Sequence, residues 1–176
     1  ATGLLIVLVG KATKRQDDFM KQDKVYEVAM KLGQTSTTAD EEGEKIVVSD
    51  REPSREEVEQ AVLQFVGEIS QIPPAYSAIK VNGQRAYKLA RAGKEVTIEP
   101  RNVTIYAIEQ IEYEYPTVRF TAKVSSGTYI RSLARDIGEK LGCGGYLESL
   151  ERVSLGHLSL ENQRNWIAHN DIEYVE

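Results

Sequence analysis

The sequence of 176 residues has one cysteine, Cys143, so no disulfide can form within it. A lone thiol, with no stretch that reads as a secretory leader, fits a reducing compartment, and the cytoplasm is the expected location. Histidine is almost as scarce. His157 and His169 are the two present, and with one cysteine they offer no ligand cluster at a spacing that suits a transition metal. No metal and no cofactor are expected. No apolar run approaches the roughly 20 residues of a membrane span, and Leu4 to Val9 reads as a strand buried on both faces. An initiator Met is also lacking. Ala1-Thr2-Gly3 runs directly into that apolar stretch, as in a chain whose beginning is missing. Excess positive charge is absent too, since the net charge is -5. That argues against indiscriminate nucleic-acid binding but leaves room for a local basic face.

What is present is strongly patterned. With 41% hydrophobic and 28% charged residues, the composition is that of one ordinary globular domain. Val118, Phe120, Ala122 and Val124 alternate with Thr117, Arg119, Thr121 and Lys123, the period of a half-buried strand. Ile130, Leu133, Ala134, Ile137 and Leu141 then fall at helical spacing, with Gly142 where a helix end needs positive φ. Between the two, Ser125-Ser126-Gly127-Thr128-Tyr129-Ile130-Arg131 hands a tyrosine and an arginine to the first turn of a helix. Such a turn lies at the open end of a sheet, where rigid scaffolds carry function.

Elsewhere, Tyr26, Val28, Met30 and Leu32 share one face of a strand over Lys24 to Leu32. The polar stretch Thr35 to Gly43, with Asp40-Glu41-Glu42-Gly43 as a turn, leads to a return strand over Lys45 to Val48. Ser54-Arg55-Glu56-Glu57 is a capping box behind Pro53, and opens a helix with Val58, Ala61, Val62, Phe65 and Val66 on one stripe, ended by Gly67. Val103 to Tyr113 and Thr117 to Val124 pair through Glu114-Tyr115-Pro116. Gly144 to Ser159 carries a last strand, and Glu161 to Glu176 a terminal helix. Strands outnumber helices and several neighbours are hairpin-connected. The expected class is therefore α+β, with a mixed, mostly antiparallel sheet flanked by helices.

Two motifs invite functional readings. Gly10-Lys11-Ala12-Thr13 resembles part of a phosphate loop, which requires Gly-x4-Gly-Lys-[Ser/Thr]. Here six residues separate Gly3 from Gly10, and Ala12 stands where a hydroxyl would meet magnesium. Lys11, Lys14 and Arg15 fit a solvated or RNA-facing edge better. The segment from Ile72 to Lys94 interleaves aromatics with bases. Lys80, Arg85, Lys88, Arg91, Lys94 and, just beyond, Arg101 can neutralise phosphates, while Tyr76 and Tyr87 can pack on sugar or base. Asn82-Gly83 marks a tight turn inside it. A solvated basic helix accounts for the same charges. On pattern alone Tyr26 is a core residue, Arg131 a surface one, and Tyr129 either.

Taken together, these residues resemble the bacterial tRNA pseudouridine-55 synthase family, the B-type uridine isomerases. The match lies in Ala1-Thr2-Gly3-Leu4-Leu5 with Gly10 to Lys14, in Lys24-Val25-Tyr26 leading to Leu32 through Asp40, in Tyr76 to Lys94, and in Ser126 to Arg131 followed by Asp136 to Gly144. These blocks keep the family's order and spacing over nearly the whole chain. The resemblance implies the pseudouridine synthase fold with a basic, thumb-like insertion that grips the T arm of tRNA. It implies a catalytic domain over residues 1–176 that lacks its N-terminal segment, with no C-terminal RNA-binding domain.

The family's nucleophilic aspartate belongs to a Leu-Asp-Pro-x-Ala-Thr-Gly-Leu-Leu block, of which this chain starts at the Ala. The aspartate would lie upstream of Ala1, and the chain as written is expected to be inactive. Asp40 sits in the family's own turn motif and does not replace it. By the same resemblance, Tyr26 stacks on the target base and assists proton removal, Arg131 pairs with the aspartate, and Tyr129 and Leu150 wall the site. Lys80, Arg85, Lys88, Arg91 and Arg152 are the expected RNA contacts. Glu151 stands where the family usually has an arginine beside that of Arg152, which weakens a phosphate contact. Without its aspartate, Arg131 is expected to be exposed and mobile.

The implied reaction converts uridine 55 to pseudouridine. The nucleotide leaves its stack, a carboxylate acts as nucleophile, the glycosidic bond breaks, the base turns in a walled pocket, and carbon loses a proton. A monomer with no protein or membrane partner suffices. The alternative is a non-catalytic module that grips or refolds tRNA. A guide-RNA-dependent relative fits less well, because Tyr76 to Lys94 resembles the stand-alone enzymes.

Overall fold

The computed structural model describes residues 1–81, 83–93 and 96–163. Lys94, the Asn82 half of the tight turn, His169 and all of the expected terminal helix beyond Gln163 lie outside the described residues.

The chain begins with β1 (Thr2–Gly3), then an extended stretch and a 3-10 turn (Gly10–Arg15) that runs into α1 (Gln16–Met20). β2 (Lys24–Leu32) follows as the alternation requires. Next come the hairpin of β3 (Gln34–Ser36) with β4 (Lys45–Val47), and α2 (Arg55–Leu63). The capping box of α2 is complete, with Ser54 and Glu57 each satisfying the other's backbone N–H. β5 (Gly67–Gln71), the small hairpin β6 (Lys80–Val81) and β7 (Gln84–Arg85), and α3 (Ala86–Arg91) lead to the long pair β8 (Arg101–Glu114) and β9 (Thr117–Val124). α4 (Ile130–Lys140), β10 (Gly145–Leu155), β11 (Leu158–Ser159) and α5 (Leu160–Gln163) complete the described chain.

The main sheet runs β1-β10-β2-β9-β8-β5, with β11 folded back on β10. The β1–β10 pair is parallel, and the remaining pairs of this sheet are antiparallel. Val28, Phe120 and Leu150 form one row across three strands. Val58, Val62, Leu133 and Ile137 of α2 and α4 join this sheet face in a dry core with Met30, Ile105, Val118 and Val124. Burying each such aliphatic side chain contributes about 1.5–3 kcal/mol. α4 lies unusually close to β10. Gly138 has no room for a side chain, because a Cβ would collide with the backbone of Gly144 and Gly145.

Two elements differ from the sequence reading. Residues 4–9 form no ladder and are not buried on both faces. Leu4 is buried, but Leu5, Val7 and Val9 are 75%, 73% and 61% exposed. The cause is the edge of β10. It accepts β1 and the Leu4 N–H, which donates to Arg152 O at 2.8 Å, and then it folds into the β11 hairpin. The chain beyond Leu4 has no strand edge left to join. The second difference is β5, which carried no periodic signal. Its Glu68 and Ser70 are polar and its length is only five residues, yet it pairs with β8, Ile69 opposite Val103. Among the described residues no helix is long and apolar enough to cross a membrane.

Candidate active site

β2 sets Tyr26 directly opposite Arg152 of β10 and Ala122 of β9, on the face shared with Val28. The turn before α4 brings in a second tyrosine. Gly127 takes φ +84°, where a side chain would be strained, and Thr128 Oγ1 donates to Ser125 O at 2.9 Å. Tyr129 is thereby the N-cap residue of α4. Tyr26, Tyr129 and Arg152 converge on one cavity of about 580 Å³, with Ile6, Phe19 and Lys24 also in its wall. The inward half of the alternating stretch after β1, Ile6 and Leu8, thus belongs to the cavity lining.

The electrostatics of the cavity are set by burial. Burial pushes the Tyr26 phenol above its ordinary value, and the Arg152 guanidinium beside it pulls the other way. Burial, then Arg152, lowers the Lys24 ammonium, with Asp23 opposing. Lys24 Nζ donates to Met20 O at 2.8 Å and to Gln22 O. Arg152 is itself anchored, its Nε and Nη2 both donating to Leu4 O at 2.8 and 2.6 Å.

Arg131 departs from its sequence expectation. Its guanidinium is not exposed. It donates to Asp40 Oδ2 at 2.9 Å and to Tyr76 O at 2.8 Å, and the ion-paired side chains are 24% and 21% exposed. Its partner is a carboxylate from a distant loop. That loop is docked on β10 by Leu147 N–H donating to Ala39 O at 3.0 Å. Thr38 Oγ1 and the Glu42 N–H both donate to Asp40 Oδ1, which fixes the carboxylate toward Arg131.

The remaining sequence-derived residues are placed apart. Leu150 is partly buried against the core beside Val28. Lys80 and Arg85 face each other across the β6–β7 hairpin, with Arg85 Nη1 on Ala78 O at 3.0 Å. Lys88 and Arg91 are exposed on α3, and the Arg91 guanidinium lies 5.7 Å from the Tyr87 ring. The structure therefore gathers Tyr26, Tyr129 and Arg152 in one cavity, sets Arg131 on Asp40, and holds the four basic residues on the hairpin and helix that follow β5. Sequence reasoning passed over Asp40 as a partner, Lys24 as a wall residue and Gln71. No local periodicity encodes contacts such as Arg131 to Asp40, which span 91 positions.

Residues 1–130 match the family model described as TruB family pseudouridylate synthase (N terminal domain). The chain belongs to that family. Among TruB relatives, the tRNA pseudouridine synthase B of Burkholderia lata is 48% identical over 162 residues, covering 92% of this chain and 50% of that protein. The protein of the same name from Pseudomonas syringae pv. syringae is 49% identical over 160 residues, covering 91% and 52%. That of Clostridium novyi is 48% identical, covering 92% and 56%. The chain spans about half the length of these curated relatives. Among solved structures, a chain of a Cbf5-Nop10-Gar1 complex superposes with a TM-score of 0.62 at 28% identity, covering 86% of this chain and 36% of that one. The α+β class with a mixed, mostly antiparallel sheet, expected from the strand and helix patterning, is the fold observed.

Proposed function

We propose that this chain is the uridine-isomerising core of a tRNA pseudouridine synthase acting on position 55 of the T arm. The observation that carries the reading is the convergence of Tyr26, Tyr129 and Arg152 on one cavity, in a chain of the TruB family. The flipped uracil stacks on Tyr26, and Tyr129 walls the space in which the detached base turns, while Leu150 lies outside that cavity, in the adjacent row with Val28. The carboxylate nucleophile of this reaction belongs to the Leu-Asp-Pro-x-Ala-Thr-Gly-Leu-Leu block whose end is Ala1-Thr2-Gly3-Leu4-Leu5. The entry point suits this. Thr2 stands opposite Glu151 and Gly3 opposite Arg152, so the chain joins the sheet beside the row that carries Tyr26. Arg131 orients that carboxylate, and Asp40 holds Arg131 ready for it.

The Tyr26 hydroxyl is protonated at neutral pH, as an ordinary phenol is, and burial moves its pKa still further up. Tyr26 can take the C5 proton only as its phenolate, formed by loss of its own proton to solvent; the Arg152 guanidinium lowers the cost of that form, and capture of the C5 proton restores the neutral phenol. The basic hairpin and α3 grip the T arm through phosphates. The reaction is an isomerisation with no net oxidation, so side-chain chemistry, once the upstream carboxylate is included, serves it without a cofactor. It acts as a monomer in the cytoplasm.

The test is tritium release from tRNA labelled at uridine C5, using the protein that carries the Leu-Asp-Pro segment ahead of Ala1. Release is expected, and it should stop when that aspartate is changed to asparagine. Tight tRNA binding without release would instead leave a non-catalytic RNA-binding module.

A further inference from the structure

We infer that Gln71 is a positioning residue of this reaction, a side-chain clamp on the backbone of Tyr129. The inference rests on the synthase reading above.

Gln71 is the last residue of β5 and is 1% exposed. A glutamine so deeply buried must have its amide satisfied, and both halves of it are. Its Oε1 accepts the Tyr129 N–H at 2.8 Å, and its Nε2 donates to the Tyr129 C=O at 3.1 Å. One side chain thus stands in for a neighbouring strand, holding both backbone polar groups of a single residue. Tyr129 needs such a partner. It is the N-cap of α4, its φ of −102° and ψ of 107° are extended, and no side chain caps the helix from that position. With φ and ψ held from outside, the Cα–Cβ bond from which the Tyr129 ring enters the cavity is fixed in direction, and so is the start of the turn that carries Arg131.

The same strand end is stitched to α4 at further points. Ser132 Oγ donates to Ile72 O at 2.7 Å, and Arg131 Nη2 donates to Tyr76 O at 2.8 Å. The Gln71 bonds differ from these in one respect. They act on the backbone of the tyrosine that walls the cavity, whereas the Ser132 bond only fastens the helix. The two contributions can therefore be separated by substitution.

Gln71→Met keeps the volume and removes both bonds. Gln71→Asn keeps the amide but is one methylene too short to reach. Ser132→Ala removes a bond between the same helix and the same strand end while leaving Tyr129 untouched. In the protein carrying the upstream Leu-Asp-Pro segment, Q71M and Q71N are expected to lower kcat for tritium release about 100-fold, the usual consequence of misplacing an active-site group by an ångström. The tRNA Kd should stay within about twofold, and S132A should keep kcat within about threefold. In the present chain, hydrogen exchange of the Tyr129 amide should accelerate at least tenfold in Q71M and Q71N but not in S132A.

Wild-type release with kcat unchanged in both Gln71 variants would overturn the inference and leave the synthase reading intact. Equal loss in S132A would overturn it as well, since the effect would then belong to helix stability. Absence of release from the wild type would defeat the synthase reading and the catalytic role of Gln71 with it, even where exchange shows the clamp.

Discussion

The proton on Tyr26 is held by two opposed influences, burial that keeps it on and the Arg152 guanidinium that draws it off. Replacing Arg152 with Met removes only the second. The Tyr26 titration midpoint is then expected to move further above the ordinary 10.0, read as the ultraviolet phenolate signal that Tyr26→Phe abolishes. The sign for stability follows from linkage. A phenol whose pKa is raised by folding favours the folded state fully below about pH 10, and that contribution is lost as pH climbs through the folded value. Legibility at this scale was uneven. Tyr26 and Tyr129 could be singled out from a family motif, but Tyr26 on its own alternation is a core residue, and burial is the origin of its shift. Asp40 and Gln71 could not be found, because each acts on a residue far along the chain through one or two side-chain hydrogen bonds.

Elements with a full repeat form where the pattern puts them, and the short β3–β4 hairpin does so through its turn residues, but elements with neither signal were not legible. β2, β9, α2 and α4 each show several periods of apolar spacing, and each forms where expected. β5 shows none, since it owes its existence to the free edge of β8. Residues 4–9 mislead for the opposite reason, being apolar throughout while the edge they would join is already turned into a hairpin. The contact of α4 with β10 gives a sharp test. Helix propensity alone would make Gly138→Ala stabilising by up to about 1 kcal/mol. The backbone of Gly144 and Gly145 occupies the space a methyl would need, so overpacking decides the sign. A loss of about 3 kcal/mol is expected, seen as a fall of roughly 10 °C in Tm.

For the molecule as a whole, charge is segregated rather than abundant. The net charge of -5 coexists with Lys80, Arg85, Lys88 and Arg91 exposed on one hairpin and the helix after it. The proposed grip on tRNA, running through these groups, should weaken steeply with salt. Changing all four to Gln is expected to flatten the slope of log K against log salt by on the order of 3, at about 0.9 per lost phosphate contact. An unchanged slope would place the RNA contact elsewhere.

The strand order has a consequence for the birth of the chain. β2 lies between β10 and β9 in the sheet, yet both neighbours are translated long after it. The β8–β9 hairpin can close as soon as it emerges, because its strands are adjacent in sequence. β2 cannot. At roughly 5–20 residues per second, its two edges stand bare for on the order of ten seconds while Val28, Met30 and Leu32 await cover. The strand that carries Tyr26 leaves the ribosome well before either of its sheet neighbours and is enclosed only after both have followed, and in this interval the nascent chain is exposed to mispairing.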